Sequence, residues 1–340
     1  MIQRTRVLRT FSLDPYHNLA LEEYLLNEVA ALAAAGCQAT LYLWQNENTV
    51  VIGKNQNPWR ECSLEQLEAE GGKLARRLSG GGAVFHDLGN LNFTFLLPRA
   101  DYDLNRQARV ILNAVRSVGV PAEMSGRNDL EASGRKFSGN AFCLRKEGAF
   151  HHGTILINAD FQKMTRYLQP SAEKLRAKGV ESVRARVVNL SELSPGLGVV
   201  QFAKALELAF CNEYGKGPSL TEEQIVPQGH LDSLREKYAS WAWRIGRTPR
   251  FDVDWAHRFP WGEVEIGLSL KDGFIAEAAV YSDAMQEAFI EAVRSALPGC
   301  PYQGSALSQR IRRLEVGEDS QTLQSDLVIW LESLKQQLLQ

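Results

Sequence analysis

The stretch Arg77-Leu78-Ser79-Gly80-Gly81-Gly82-Ala83-Val84-Phe85-His86 has the chemistry of a ligand loop. Three successive glycines carry no Cβ, so backbone amides can approach a bound group closely and reach positive φ. Such a turn can form a concave array of N–H groups for an anion. Arg77 and Ser79 add a guanidinium and a hydroxyl, both suited to carboxylate or phosphate. A glycine triplet alone is more often a flexible turn between strands; the flanking groups favour a ligand. The segment matches neither common phosphate loop, since the chain has no G-x-x-x-x-G-K-[ST] and no G-x-G-x-x-G opening a helix.

A second polar constellation is Gly126-Arg127-Asn128-Asp129 with Gly134-Arg135-Lys136-Phe137-Ser138-Gly139. Lys136 follows an expected tight turn, so a rigid strand can aim its ammonium. Asp129, on the neighbouring strand, could hold a magnesium ion or cap a turn. Each residue alone reads more simply as solvated surface. Together with the glycine loop they supply anion binders, a metal-ligand candidate and close backbone access, a set that suits phosphoryl or nucleotidyl transfer. Other candidates are weaker. His86 and the pair His151-His152 sit at expected strand ends, where histidines are usually structural. Ser79 lacks the G-x-S-x-G elbow of a nucleophilic serine. Trp241, Trp243, Trp255 and Trp261 read as packing between domains, because a stacking platform for nucleic acid would carry flanking basic charge.

The elements that must position these residues follow from period and punctuation. Asp14-Pro15 starts a helix, an oxygen to cap free amides followed by a residue whose missing N–H costs nothing there. Leu19, Glu22, Glu23, Leu26 and Val29 continue it, and Gly36 stops it. Leu41–Trp44 and Thr49–Ile52 look like a hairpin. Ala83–His86 and Asn92–Leu97 are strand-like. Asp101–Gly119 is an amphipathic helix. Strands return over Asp129–Asn158, with turns at Ser133-Gly134 and Lys146-Glu147-Gly148. Helices are expected near Phe161–Leu168, Ala172–Lys178 and Val200–Tyr214. A boundary near Thr248-Pro249 precedes Val264–Leu270, an Asp272-Gly273 hairpin turn, Phe274–Tyr281, and helices around Met285–Leu297 and Asp326–Leu339. Strands come in hairpins rather than strict alternation with helices, so the fold class is α+β, with a large domain and a small one.

Composition narrows the class further. In 340 residues, 38 Lys and Arg face 40 Asp and Glu, a formal charge of −2 that disfavours a nonspecific nucleic-acid binder. With 44% hydrophobic and 23% charged residues, the chain has material for a sizeable core. Five cysteines, Cys37, Cys62, Cys143, Cys211 and Cys300, show neither disulfide nor zinc-ligand spacing. No apolar run approaches the roughly 20 residues of a membrane span. A reduced, cytoplasmic protein is expected, with no membrane or nucleic-acid partner.

The stretch Arg76 to Asn90 resembles the signature loop of the lipoate–protein ligase A family. Gly126-Arg127-Asn128-Asp129-Leu130, Arg135-Lys136-Phe137-Ser138-Gly139 and Phe150-His151-His152-Gly153-Thr154 are similar to further family motifs. So are Val51-Ile52-Gly53-Lys54-Asn55-Gln56-Asn57-Pro58 and Lys178-Gly179-Val180-Glu181-Ser182-Val183-Arg184. All come in family order. The resemblance implies a mixed-sheet biotin/lipoate ligase catalytic domain over residues 1–248 and a small α+β accessory domain over 249–340. It implies two half-reactions: lipoate and ATP give lipoyl-AMP and pyrophosphate, then an acceptor lysine takes the lipoyl group as an amide. The implied cofactors are ATP and Mg2+. The implied partners are lipoate and the apo lipoyl domains of 2-oxo acid dehydrogenase E2 subunits and the glycine cleavage H protein, met by a monomer.

Position by position, Lys136 matches the family lysine that contacts both lipoate and nucleotide. Arg77, Gly82, Ala83, Val84 and Phe85 match nucleotide-contacting positions. Asp129 matches a magnesium position, with Asn128 nearby, and Ser79, Gly81 and His86 match the lipoate side. The nearest rival is an octanoyltransferase of the same superfamily working through a cysteine thioester; a non-catalytic lipoyl-adenylate binder is a further alternative. Where one such transferase would place its thiol, this chain has Ala149, and Cys143 reads as a core thiol.

Overall fold

The computed structural model describes residues 4–125, 129–169, 186–245, 252–302 and 304–334. They fall into two compact units. One holds described residues of Met1–Ile52, Trp59–Leu78 and Ala83–Arg244; the other holds those of Gly53–Pro58, Ser79–Gly82 and Ile245–Gln340.

In the first unit the strands are β1 (Arg4–Arg9), β2 (Cys37–Trp44), β3 (Thr49–Ile52), β4 (Lys73–Arg76), β5 (Val84–His86) and β6 (Asn90–Pro98). Then come β7 (Glu123–Ser125), β8 (Asp129–Ala132), β9 (Arg135–Leu144), β10 (Gly148–Leu156) and β11 (Ser219–Thr221). Eight of them form one sheet in the order β11-β1-β2-β6-β10-β9-β8-β7. The β11–β1–β2 pairs are parallel, whereas β2–β6, β6–β10, β10–β9, β9–β8 and β8–β7 are antiparallel. This is the mixed α+β sheet that the resemblance implies. A smaller sheet sets β3 between β4 and β5. The expected hairpin of Leu41–Trp44 with Thr49–Ile52 therefore does not form. The intervening polar residues are used elsewhere: Asn18 Nδ2 donates to Asn46 Oδ1 and the Gln45 carbonyl, and Asn48 takes a positive φ.

Alternation along β6 explains why both sheet faces are covered. Leu91, Phe93, Phe95 and Leu97 enter a core with the helices Leu104–Ser117 and Val199–Tyr214. Leu96, Tyr42, Trp44 and Phe150 pack on the other face against Leu19, Leu25 and Leu26 of the helix Pro15–Ala34. Asp14 precedes that helix but its side chain does not cap it. Its carboxylate bonds Lys73 at 3.2 Å and Arg235 at 3.1 Å. Burial opposes that charge, and the two cations outweigh it, holding the carboxyl below its ordinary pKa.

In the second unit β12 (Val253–Phe259), β13 (Gly262–Lys271) and β14 (Phe274–Ser282) form an antiparallel sheet. Asp272 and Gly273 both take positive φ between the paired Lys271 and Phe274, the geometry an Asp-Gly hairpin turn requires. Helices Glu287–Ala296, Gly304–Arg312 and Gln321–Ser333 bury Phe289, Val293, Ile311 and Leu327 against it. Of the four tryptophans expected to pack between domains, three have partners within their own units. Trp243 Nε1 donates to the Arg76 carbonyl, Trp255 stacks on Tyr302, Trp261 stacks on Phe259, and Trp241 is exposed. The expected helix at Ala172–Lys178, the motif Lys178–Arg184 and the boundary at Thr248-Pro249 lie outside the described residues. Among the described residues no helix is long and apolar enough to cross a membrane.

Candidate functional site

Strand register lines up one transverse row of side chains on a single face of the large sheet. Trp44 of β2 lies opposite Asn92 of β6, Asn92 opposite Thr154 of β10, and Gly139 of β9 opposite Asp129 of β8. Thr154 and Gly139 join the row through the Gly139 N–H, which donates to Thr154 Oγ1 at 3.4 Å. Directly opposed residues share a face, so an aromatic ring begins this row, an amide and a hydroxyl follow, and a carboxylate ends it.

Lys136 reaches the same face because of a β-bulge. The β8–β9 register pairs Leu130 with Ser138 but Glu131 with Lys136, leaving Phe137 as the extra residue. Strict alternation from Gly139 would point Lys136 to the opposite face; the bulge restores it and sends Phe137 into the apolar core. The Ser133-Gly134 turn that starts β9 has φ of 52° and 69°, as a tight two-residue hairpin needs. Lys136 Nζ then sits 2.8 Å from Asp129 Oδ1, both side chains about a third exposed. It lies over Gly139, where a Cβ would come within 2.9 Å of Nζ.

Beside this row is a buried polar chain. Glu22, only 1% exposed, accepts from Thr94 Oγ1 at 2.7 Å and meets His152 Nδ1 at 2.8 Å, while Trp44 Nε1 donates to Thr94 Oγ1. His86 is buried edge-on to Trp44. Asn46 Nδ2 donates to His86 Nδ1 at 3.1 Å, which leaves the ring proton on Nε2. That Nε2 has no partner among the described residues. Burial, reinforced by Arg77 and His152, pulls the pKa of His86 down to about 3, so the ring is neutral. His151, on the opposite face between Gln107 and Asn140, is likewise pulled down to about 3, chiefly by burial.

Arg77 is buried and donates through Nη1 to the Val51 carbonyl; burial lowers its pKa to about 10. Phe85 is buried against Tyr167, with ring centroids 5.4 Å apart. Ala83 and Val84 are half-buried, and Val84 pairs with Val51 at the start of β5. Asn128 lies outside the described residues.

Ser79, Gly81 and Gly82 belong to the second unit. Ser79 is fully buried, and its carbonyl accepts from the Lys54 N–H at 2.9 Å. Gly81 has φ +88°, a conformation side chains disfavour, and its N–H donates to the Ala284 carbonyl at 3.3 Å. Gly82 is half-buried with open space where a Cβ would stand.

Two surface cavities in the first unit, about 710 and 560 Å3, are lined by other residues. One is bordered by Asp14, Asn48, Lys73 and Asp87, the other by Arg135, Asp160 and Asn189. No cluster of three acidic, histidine or cysteine ligands occurs among the described residues. Asp129 offers one carboxylate, whose Oδ1 faces Lys136. That set fits magnesium in its common role, where one or two protein carboxylates share the ion with substrate phosphates. Sequence reasoning missed Trp44, Asn92, Thr154 and Glu22. The available signal was the polar alternation Asn90, Asn92, Thr94 inside an otherwise apolar strand.

Comparison with known proteins agrees with this architecture. Residues 14–211 match the lipoyl protein ligase A/B catalytic domain, and residues 248–331 match the bacterial lipoate protein ligase C-terminus. The lipoate-bound crystal structure of LipL1 from P. falciparum is 29% identical, covering 97% of this chain and 99% of that one, with a TM-score of 0.84. An archaeal bi-partite lipoate protein ligase from Thermoplasma acidophilum, described with its E2 lipoyl domain, is 26% identical over 74% of this chain and 100% of its own, with a TM-score of 0.62. A lipoate-protein ligase A bound with ATP shares the fold at 24% identity and a TM-score of 0.60, covering 72% of this chain and 99% of its own. The chain belongs to the lipoyl protein ligase A/B catalytic domain family.

Proposed function

We propose that this protein is a cytoplasmic, ATP-dependent lipoate–protein ligase that forms lipoyl-AMP and passes the lipoyl group to a lysine of lipoyl domains. The observation that carries this reading is the transverse row, with Trp44 at one end and the Lys136–Asp129 pair at the other. Three inter-strand steps of about 4.8 Å separate Trp44 from Gly139, so the row spans roughly 14 Å. That length and polarity suit a medium-chain acid whose apolar end rests on an aromatic ring and whose carboxylate meets an ammonium. His86 Nε2 and Asn92 Nδ2 are buried without partners among the described residues, each costing about 1–3 kcal/mol unless a ligand or water satisfies it.

In the first half-reaction a lipoate carboxylate oxygen attacks the α-phosphorus of ATP; the new P–O bond forms as the bond to pyrophosphate breaks. Lys136 screens the two approaching anions. Arg77 and the Gly82, Ala83, Val84 and Phe85 segment serve the nucleotide, and Ser79, Gly81 and His86 serve lipoate. Magnesium, held by Asp129 and the nucleotide phosphates, would supply charge neutralisation. Asn128 is a further candidate on the nucleotide side. In the second half-reaction the acceptor lysine attacks as a neutral amine, so its rate rises with pH. Residues 1–248 would carry the chemistry and 249–340 serve as the accessory domain. Acceptors of this chemistry are lipoyl domains of 2-oxo acid dehydrogenase E2 subunits and the glycine cleavage H protein.

Lipoate-dependent release of pyrophosphate from MgATP tests the first step. A folded preparation that releases none, yet transfers octanoyl groups from an acyl carrier protein, would replace this reading with the octanoyltransferase one.

A further inference from the structure

Asn92 occupies the middle of the row and is 1% exposed. Asn90 Nδ2 donates to Asn92 Oδ1 at 2.7 Å, which engages the acceptor end of the amide and leaves Nδ2 as its donor end. That Nδ2 is buried with no partner among the described residues. Its cross-strand neighbours are Trp44 and Thr154, and beyond Thr154 lies Gly139 with the Lys136 ammonium above it. Thr154 is small, so a group seated over it would have an amide N–H2 on one side and an ammonium on the other.

We infer that Asn92 Nδ2 is the second donor to the acyl carboxylate oxygen and, in the transfer step, to the oxyanion that develops there. This assignment rests on the proposed ligase reading. The acceptor amine bonds to the acyl carbon while the carbonyl π pair moves onto oxygen, where Asn92 and Lys136 receive the charge. The pair then returns, the bond from carbon to the phosphate oxygen breaks, AMP leaves with those electrons, and the nitrogen loses one proton to water. Such a donor acts when charge develops, and its removal costs about 10²-fold in other acyl-transfer sites. Trp44 supplies no comparable group here, because its Nε1 is already given to Thr94.

Asn92→Asp keeps the shape and the Asn90 contact but turns the donor end into an anionic acceptor. Its transfer of preformed lipoyl-AMP to an apo lipoyl domain, in a single turnover, should slow by about 10²-fold or more. Its KM for lipoate in pyrophosphate release should rise, while KM for ATP stays within about twofold. Asn92→Ala should show the same pattern more mildly and stands in if the aspartate variant does not fold. Melting temperature and circular dichroism confirm that the folded variants are compared. Transfer rates and lipoate KM within about twofold of wild type in a folded variant overturn the assignment. If the wild-type protein neither releases pyrophosphate with lipoate nor transfers from lipoyl-AMP, the ligase reading itself fails and this assignment falls with it.

Discussion

Placing one methyl group at Gly139 isolates the position of the Lys136 ammonium from its presence. A Cβ there would stand 2.9 Å from Lys136 Nζ and 3.0 Å from its Cε, with Thr154 Oγ1 next at 3.9 Å. Non-bonded contacts of this kind settle near roughly 3.5 Å, so the ammonium must retreat by about 0.6 Å. The atoms that yield are the end of a flexible side chain, and Gly139 is not among the positive-φ glycines, so alanine fits the backbone. The fold should therefore keep its melting temperature within about 2 °C, since compatible surface-like changes stay within about 0.5 kcal/mol. Misplacing a reacting group by something under 1 Å costs up to about 10²-fold. The expected loss in kcat/KM for lipoate-dependent pyrophosphate release is thus 10- to 100-fold, or about 1.4–2.7 kcal/mol in the transition state. A cycle with Lys136→Ala completes the argument, because the methyl should cost almost nothing once the ammonium is gone. Gly139→Ala with wild-type kcat/KM would refute the reasoning, as would an equal loss in both backgrounds.

Buried neutral histidines set the acid limit of stability. His86 and His151 titrate near pH 3 when folded and near 6.5 when unfolded, so below pH 6.5 the unfolded chain binds more protons. Their contribution is whole above about pH 6.5 and shrinks toward pH 3; at pH 5 each weakens the fold by about 2 kcal/mol relative to pH 8. Urea midpoints that do not fall between pH 8 and pH 5 would contradict this. Cys143 is buried in the core beside Phe150, and Ala149 is fully buried. Cys143→Ala should accordingly keep activity within about threefold while lowering stability by about 1 kcal/mol; abolished acyl transfer in a folded variant would revive the thioester reading.

The parts legible beforehand are those written in local chemistry. Ser133-Gly134 and Asp272-Gly273 announced hairpins whose four residues all take positive φ. The Ser133-Gly134 turn sets Asp129 on the strand beside Lys136. Long-range pairing was not legible. Thr49–Ile52 has the composition of a partner for β2, yet it pairs with β4 and β5, because Asn46 and Asn48 are drawn into other contacts. The bulge at Phe137 decides which face Lys136 serves, and nothing in the string Arg135-Lys136-Phe137-Ser138 signals it. Trp44, Asn92 and Thr154 come from three distant stretches and meet only through sheet register. Asp14 looked like a cap and is instead a partner for two cations, since Lys73 and Arg235 arrive from elsewhere in the chain.

The most direct measurement is the mass of an acceptor. Incubated with this protein, lipoate, ATP and magnesium, an apo lipoyl domain should gain the mass of one lipoyl amide on a single lysine, and only when every component is present. An acceptor that keeps its original mass, with enzyme folded and lipoate bound, would contradict the account.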